Sequence, residues 1–314
     1  MTYADAASTP AMTGVLAPAL TPFDTAGDID QPAFESHCRW LLDAGVGLAV
    51  FGTNSEAASL SFGERLHALE ALITAGLDPA RFMPGTGTCS VRETVDLTRQ
   101  ALGLGIHRVL MLPPFYFPQP SEAGLLRYYL DVIEQVADAR LRLYLYHIPQ
   151  MTGVPITLSL IEQLRSRYPS IVCGIKDSSG DWANLEATLK TFAADGFSVF
   201  PASEALLSRA LPLGAAGCIS ATANMNPAGL VRYFAALSAN APAPDEQMAL
   251  AVRSVFASMP MIPAMKSVLA RSGATPDWAH VRAPLTALDQ RQGDALMQSL
   301  DDIGFRLEGL TVNA

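Results

Sequence analysis

A single lysine at the end of a short apolar segment is the first candidate for chemistry in this sequence. Residues 171–175 read IVCGI, Lys176 follows, and the chain has only two other lysines, Lys190 and Lys266. An apolar run too short for a typical helix, followed by small polar and turn-forming residues, predicts a buried strand that carries the lysine at its carboxyl end. Burial favours the neutral amine, which can attack a carbonyl carbon. The alternative is a strand-end lysine that reaches into solvent and has no chemical role.

The lysine segment is one of eight short apolar runs that we interpret as strands. These runs lie at residues 15–20, 47–51, 82–87, 108–112, 141–147, 171–176, 197–200 and 217–220. Segments with helical spacing lie at residues 31–44, 61–75, 90–103, 122–136, 158–167, 182–193 and 205–211, and only helical patterns follow residue 227. Ser61 and Ser90 each precede a glutamate by three residues, which is the pattern of a capping box at a helix start. The strands are apolar rather than alternating, as parallel strands covered on both faces must be.

This alternation predicts an α/β protein with a (β/α)8 TIM barrel and a C-terminal helical extension. Short connections between eight β/α units fit a closed barrel better than a doubly wound sheet. No G-x-G-x-x-G motif follows the first strand, which weakens the dinucleotide-binding alternative. We predict an N-terminal arm at residues 1–12, a barrel at 13–238 and a C-terminal helical annex at 239–314.

The composition argues against several classes of protein. Of the 314 residues 50% are hydrophobic and 16% are charged, which provides for a sizeable core. A net charge of -9 and the lack of a basic stripe argue against a nucleic-acid partner. The four cysteines form no C-x-x-C pair and the five histidines show no metal-ligand spacing, so nothing in the sequence calls for a metal. Since neither a signal-peptide pattern nor an uncharged run of membrane-span length is seen, we expect a soluble cytoplasmic protein without a membrane partner.

In a (β/α)8 barrel the catalytic side chains come from the carboxyl ends of the strands. Polar side chains follow or end five of the predicted strands: Thr53 and Asn54, Tyr116, Tyr146, Lys176, and Ser220. Their convergence on one rim favours a catalytic role for Lys176. Structural explanations remain for its neighbours, since Tyr146 could pack in the barrel and Thr53 and Asn54 could cap a helix. Alternation along the strand puts His147 on the face opposite Tyr146, where we expect a structural role.

Four sequence blocks resemble those of the dihydrodipicolinate synthase and N-acetylneuraminate lyase family of Schiff-base class I aldolases. They are GTNSE at residues 52–56, YHIP at 146–149, GIKDS at 174–178, and GCIS at 217–220 with Asn224 after it. The blocks occur in order, and the resemblance runs from residues 17–23 into the helical tail. The combination of Asn54 with residues 176–178 is most similar to the 4-hydroxy-2-oxoglutarate and 2-keto-3-deoxy sugar-acid aldolases.

The resemblance implies a covalent mechanism that needs no metal or organic cofactor. Lys176 would form an imine with the ketone of pyruvate or of a pyruvate-derived keto acid, and Tyr146 would relay protons to and from that adduct. A protonated imine is an electron sink that makes the adjacent carbon acidic or its C–C bond cleavable. Thr53 would link Tyr146 to Tyr116, whose counterpart in the family reaches in from a neighbouring subunit. The resemblance therefore implies a homo-oligomer, either a dimer or a tetramer.

The resemblance also implies which residues bind the keto acid and its aldehyde partner. These residues are Thr53, Asn54, Ser178, Met151, Ile219 and Ala202. Backbone N–H groups of the loop at residues 53–54 would hold the carboxylate of the keto acid.

Departures from the family pattern bear on the substrate. The synthase branch has an arginine that binds the carboxylate of the aldehyde, and the residue at that position here is Met151, which forms no ion pair. The usual second threonine and glycine of the first block are Asn54 and Ser55. We therefore predict a pyruvate-dependent aldolase or lyase that cleaves or forms a C–C bond of a 2-keto acid, with an aldehyde that the residues do not name. The alternatives are a 4-hydroxy-tetrahydrodipicolinate synthase, a keto-acid dehydratase that uses the same imine, and a non-catalytic keto-acid-binding protein.

Overall fold

The computed structural model describes residues 11–117, 119–273 and 275–310. The predicted N-terminal arm lies almost entirely outside the described residues. The chain divides into two compact units: the first unit contains Asp78–Ile219 together with the residues up to Gly14, and the second contains Val15–Leu77 and Ser220–Ala314. The predicted boundary between barrel and annex at residues 238 and 239 stays a prediction.

The described residues form strands and helices in alternation over most of the chain. The strands are β1 (Gly14–Ala17), β2 (Gly47–Leu48), β3 (Arg108–Met111), β4 (Arg142–His147), β5 (Val172–Asp177), β6 (Ser198–Pro201) and β7 (Gly217–Ile219). The α-helices are α1 (Gln31–Asp43), α2 (Phe62–Thr74), α3 (Val91–Gly103), α4 (Glu122–Val136), α5 (Pro149–Thr152), α6 (Leu158–Arg167), α7 (Trp182–Phe192), α8 (Leu207–Ala210), α9 (Pro227–Ser238), α10 (Glu246–Ala257), α11 (Met261–Arg271) and α12 (Gln290–Asp302).

Four strands of the first unit form one parallel sheet in the order β3-β4-β5-β6. The register pairs Tyr146 of β4 with Lys176 of β5, and His147 with Asp177. Because side chains alternate along a strand, Tyr146 and Lys176 share one face and His147 and Asp177 share the other. The sheet therefore brings the predicted lysine and phenol to the same face at neighbouring strand ends.

The predicted third strand, residues 82–87, is irregular in the structure. Gly85 makes an isolated parallel bridge to Leu110 of β3. The Leu110 N–H donates to the Pro84 carbonyl and the Thr86 N–H donates to the Leu110 carbonyl, each at 2.9 Å. Pro84 has no N–H to donate, so the segment pairs over one residue without forming a regular ladder.

The second unit contains a short parallel pair in which Leu16 and Ala17 of β1 lie opposite Gly47 and Leu48 of β2. The predicted strand ran to residue 51, but β2 ends at Leu48. The Ala49 N–H still donates to the Ala17 carbonyl at 2.8 Å, and Phe51, with a φ angle of 57°, lies outside the extended region.

The helices α10, α11 and α12 share one hydrophobic core within the second unit. Phe256, Met265 and Leu296 are buried in a cluster with Leu20, which follows β1, and with Met225. Burying one large apolar side chain contributes roughly 1.5–3 kcal/mol. This core fixes α11 against the segment that follows β1.

Local signals place the helix starts well. The Ser61 Oγ accepts from the Glu64 N–H at 3.3 Å, and the Glu64 Oε2 accepts from the Ser61 N–H at 2.8 Å, which confirms the predicted capping box of α2.

Within the described ranges no single helix is long and apolar enough to cross a membrane. The pair α10 and α11 meets that test only when taken together, with a bend of 112° between the two helices.

Candidate active site

Lys176 lies near the carboxyl end of β5, buried and beside a phenol. Only 4% of its surface is exposed. Its Nζ donates a hydrogen bond to the Tyr146 Oη at 3.2 Å and lies 4.3 Å from the centre of the same ring. The phenol is therefore placed to exchange a proton with the amine, as covalent catalysis through an imine requires.

A glycine two residues before Lys176 lets β5 lie close to its neighbours. A Cβ on Gly174 would lie 2.4 Å from the Ser198 carbonyl oxygen and 2.5 Å from the Tyr144 ring. Tyr144 precedes Tyr146 by two residues, so the two phenol rings share a face, as the alternation along the strand predicts. A larger residue at position 174 would push the neighbouring strands apart and displace the amine.

His147 lies on the opposite face of β4 and makes a structural contact. The Ile156 N–H donates to the His147 Nδ1 at 3.0 Å, so this nitrogen carries no proton. Burial lowers the pKa of His147, although the charge of Asp177 acts in the opposite direction. A neutral ring that accepts a backbone hydrogen bond agrees with the structural role expected for this residue.

Asp177, the residue after Lys176, organises the loop that follows β5. Its Oδ1 accepts from the backbone N–H of Ser179 at 2.8 Å and from the hydroxyl of Ser179 at 2.6 Å. Its Oδ2 accepts from the Asn184 Nδ2 at 2.8 Å. The Ala202 N–H donates to the Asp177 carbonyl at 2.9 Å. These bonds tie the loop to α7 and to the residue after β6, so the backbone beside Lys176 is fixed from both sides.

Ser178 presents a hydroxyl at this end of the sheet. Its N–H donates to the His147 carbonyl at 2.7 Å, and its carbonyl accepts from the Gln150 Nε2 at 2.6 Å. The Ser178 Oγ is buried and has no hydrogen-bond partner among the described residues. Because buried hydroxyls are normally hydrogen-bonded, this one is a candidate for contact with a substrate oxygen.

The other predicted side chains of the first unit differ widely in exposure. Met151 is 66% exposed and Tyr116 is 83% exposed, whereas Ile219 is buried. The Tyr116 N–H donates to the Cys89 Sγ at 3.3 Å, which fixes its backbone while the phenol stays at the surface. Four predicted residues lie together at the ends of β4, β5 and β6: Tyr146, Lys176, Ser178 and Ala202.

Thr53 and Asn54, in the second unit, begin a single tight turn of helical type. Phe51 before the turn and Glu56 after it have positive φ angles of 57° and 56°. Non-glycine residues in this region cost of order 1–3 kcal/mol each, and they persist where surrounding contacts hold them. Because Ser61 caps α2, the structure does not support the alternative that Thr53 and Asn54 cap this helix.

The sequence does not predict the buried ion pair that follows this turn. The Lys266 Nζ lies 2.6 Å from the Glu56 Oε1, and both side chains are at most 1% exposed. Burial lowers the pKa of Lys266 to about 8, since the opposing effect of Glu56 is smaller. The rarity of lysine was a signal for Lys266, but its partner lies 210 positions earlier in the chain.

Residues 11–303 match the model of the dihydrodipicolinate synthetase family. The chain belongs to this family. An "uncharacterized DapA-like lyase" from Chloroflexus aurantiacus is 35% identical over 294 residues, which cover 92% of this chain and 96% of that protein. A 4-hydroxy-tetrahydrodipicolinate synthase from Methanosphaerula palustris is 30% identical, with coverage of 91% and 98%.

Solved structures agree with this membership of the dihydrodipicolinate synthetase family. The dihydrodipicolinate synthase from Agrobacterium tumefaciens matches 93% of this chain and 100% of its own, with a TM-score of 0.85 and 30% identity. A prophage protein of the family from E. coli K12, solved in complex with pyruvate, matches 93% of this chain and 98% of its own, with a TM-score of 0.83 and 29% identity. The predicted family and (β/α)8 fold class are confirmed, and the protein is a lyase of the class I aldolase type.

Proposed function

We propose that the protein is a pyruvate-dependent Schiff-base aldolase that cleaves or forms a C–C bond of a 2-keto acid. The observation that carries the proposal is the buried Lys176 Nζ, 3.2 Å from the Tyr146 Oη at neighbouring strand ends. In (β/α)8 barrels these ends hold the catalytic side chains. The pyruvate complex of the E. coli K12 relative supports pyruvate as the keto acid.

Lys176 acts as the nucleophile in this proposal. Its neutral amine adds to the C2 carbonyl carbon of pyruvate, and a proton moves from nitrogen to oxygen to give a carbinolamine. Tyr146 then gives a proton to that hydroxyl, which leaves as water, and the nitrogen lone pair forms the C=N bond of a protonated imine. The Tyr146 Oη lies within hydrogen-bond distance of the Nζ, which supports its role in passing protons between the nitrogen and the departing oxygen.

Cleavage proceeds through the imine of a 4-hydroxy-2-keto acid. A base removes the proton of the 4-hydroxyl, the C3–C4 bond breaks, an aldehyde departs, and the electron pair moves into the imine to form an enamine. Protonation at C3 and hydrolysis of the imine then release pyruvate and the free lysine. We assign the proton transfers to Tyr146, and the reverse sequence forms the C–C bond.

Three further residues have roles that come from the family resemblance. Thr53 and Asn54 hold the carboxylate of the keto acid, and Thr53 also takes part in the proton relay. Tyr116 contributes its phenol to the relay of a second copy in a homo-oligomer, a dimer or a tetramer. The 83% exposure of Tyr116 supports this assignment, since the side chain is accessible to another molecule. Light scattering tests it, and a monomer that turns over at the full rate would remove Tyr116 from the mechanism.

The aldehyde partner is proposed to carry hydroxyl groups rather than a carboxylate. The Ser178 Oγ has no hydrogen-bond partner among the described residues, and a substrate hydroxyl would provide one. Met151 offers no positive charge for a carboxylate. Ala202 and Ile219 would border the same part of the substrate with apolar surface.

The alternative is the reaction named for the Methanosphaerula palustris relative, 4-hydroxy-tetrahydrodipicolinate synthesis. A coupled assay with pyruvate and aspartate semialdehyde separates it from cleavage of a 2-keto-3-deoxy sugar acid. Turnover of the semialdehyde at a comparable rate would favour the synthase over the aldolase. A dehydratase would instead release water from the sugar acid and form no aldehyde.

Reductive trapping tests the imine directly. The protein is incubated with pyruvate and borohydride and digested, and the peptides are weighed by mass spectrometry. We expect one stable pyruvate adduct, on the peptide that contains Lys176, and the same adduct in the control variant Lys190→Met. The absence of an adduct, or an adduct that survives Lys176→Ala, would remove this mechanism.

A further inference from the structure

We infer that Glu56 and Lys266 are positioning residues whose buried ion pair holds the turn Thr53–Ser55 in the conformation that binds the keto acid. The inference rests on the proposed function, because the contact of Thr53 and Asn54 with the keto acid is part of it. Glu56 and Lys266 act through the turn and not on the substrate.

Glu56 closes this turn through its backbone. Its N–H donates to the Thr53 carbonyl at 3.1 Å, and the Ser55 N–H donates to the Gly52 carbonyl at 3.2 Å. Glu56 has a φ angle of 56°, a region that non-glycine residues rarely occupy. Because glycine would adopt this backbone at lower cost, the presence of glutamate indicates that its side chain has a function.

The carboxylate of Glu56 is held at both oxygens. Oε1 accepts from the Lys266 Nζ at 2.6 Å, and Oε2 accepts from the backbone N–H of Arg282 at 2.9 Å. Lys266 lies on α11 next to Met265, which belongs to the core of the C-terminal helices. The turn is therefore attached to a helix that is itself fixed by packing.

The segment that follows β1 supports the same arrangement. The Thr21 Oγ1 donates to the Ser55 carbonyl at 2.8 Å. The centre of the Phe23 ring lies 4.2 Å from the Lys266 Nζ and 4.6 Å from the Arg282 Cζ. The ring encloses the cationic side of the ion pair, and the hydroxyl fixes the last carbonyl of the turn.

Directionality distinguishes this pair from an ordinary packing contact. Replacing a buried ion pair by apolar residues of similar volume is often neutral or stabilising, so the pair is weak evidence for a role in stability. Charge-assisted hydrogen bonds fix the distance and direction between donor and acceptor, whereas apolar contacts allow sliding. A strained turn that must present its backbone in one conformation requires charge-assisted hydrogen bonds of this kind.

The double variant Glu56→Gln/Lys266→Met separates positioning from folding. The amide oxygen of the glutamine introduced at position 56 can still accept from the Arg282 N–H. No charge is left buried without a partner. We expect a folded protein whose KM for pyruvate rises about tenfold or more while kcat changes less, as loss of ground-state binding predicts. The control is Lys190→Met, which removes an exposed lysine paired with Glu186 and should leave KM unchanged.

Trapping with borohydride distinguishes the two possible failures. If the wild-type protein forms no pyruvate adduct on Lys176, the proposed function is wrong and this inference falls with it. If the wild type forms the adduct, the double variant tests the positioning role. A folded double variant with the same KM, and the same pyruvate concentration for half-maximal trapping, would show that only the positioning role is wrong. The single variant Glu56→Gln gives a second measurement of the same quantities at a temperature where it is folded. An unchanged KM there, with activity lost only in proportion to unfolded protein, would also contradict the inference.

Discussion

The two buried lysines of this protein have opposite surroundings. Lys176 donates to the phenol of Tyr146, whereas Lys266 pairs with the carboxylate of Glu56. A carboxylate favours the ammonium form, which cannot attack a carbonyl, while a phenol can exchange a proton with a neutral amine. Burial lowers the pKa of Lys266 to about 8, which still leaves it mostly protonated at neutral pH. In the proposed mechanism the partner, rather than burial alone, separates the lysine that reacts from the lysine that holds structure.

Replacing Lys176, the proposed nucleophile, has the largest expected effect on activity. Lys176→Met keeps most of the length of the side chain but removes the amine, so we expect kcat/KM to fall by a factor on the order of 10⁴ or more. Stability should be retained, because the substitution leaves no buried charge without a partner. Steady-state kinetics and thermal unfolding measure the two quantities. A variant that keeps most of its activity would show that Lys176 is not the nucleophile.

Removing the phenol should separate imine formation from turnover. In Tyr146→Phe the amine remains, so we expect pyruvate to be trapped on Lys176 by borohydride, while kcat falls roughly 10²–10⁴-fold through loss of proton transfer. The control is Tyr168→Phe, which removes a surface hydroxyl bonded to Glu134. Turnover at the wild-type rate in Tyr146→Phe would exclude this residue from the relay.

Replacing Lys266 on α11 should lower stability, and the size of the loss should depend on whether Glu56 still carries a charge. Lys266→Met leaves the buried Glu56 carboxylate without its cation, and we expect the free energy of unfolding to fall by about 3–5 kcal/mol. In Glu56→Gln/Lys266→Met most of this loss should be recovered, because both charges are gone. Urea unfolding of the wild type, both single variants and the double variant gives the coupling. Additive losses in the double variant would mean that the two side chains do not stabilise each other.

The environment of Lys176 could be predicted because the signals for it are local. An apolar run of strand length predicts the buried strand, and period-two alternation predicts that Tyr144 and Tyr146 share a face. Parallel pairing then brings Tyr146 beside Lys176, as the register of β4 and β5 shows. Each step needs only neighbouring residues and one rule about parallel strands.

The environment of Lys266 could not be predicted because its causes are distant or specific to the backbone. Glu56 lies 210 positions from Lys266, and no local pattern links them. The positive φ angles of Phe51 and Glu56 contradict the usual preference of these residue types. Only the contacts of the folded chain stabilise such a turn, so its conformation is a property of the packed structure.

The smallest expected effect is a pH dependence of stability that comes from Lys266. Burial lowers its pKa from 10.5 to about 8, with Glu56 raising it and Arg282 lowering it further. Between these two pKa values the unfolded chain binds more protons than the folded chain, so the free energy of unfolding increases as the pH rises from about 8 to about 10.5. Below about pH 8 both states are protonated, and this contribution is constant at its least favourable value. Relative to Lys266→Met, the wild type should therefore gain about 2 kcal/mol between about pH 7.5 and about pH 10, measured by urea unfolding. Equal pH dependence in the two proteins would mean that the carboxylate of Glu56 offsets the whole effect of burial on the pKa of Lys266. The two lysines would then differ in their proposed reactivity but not in a shifted pKa.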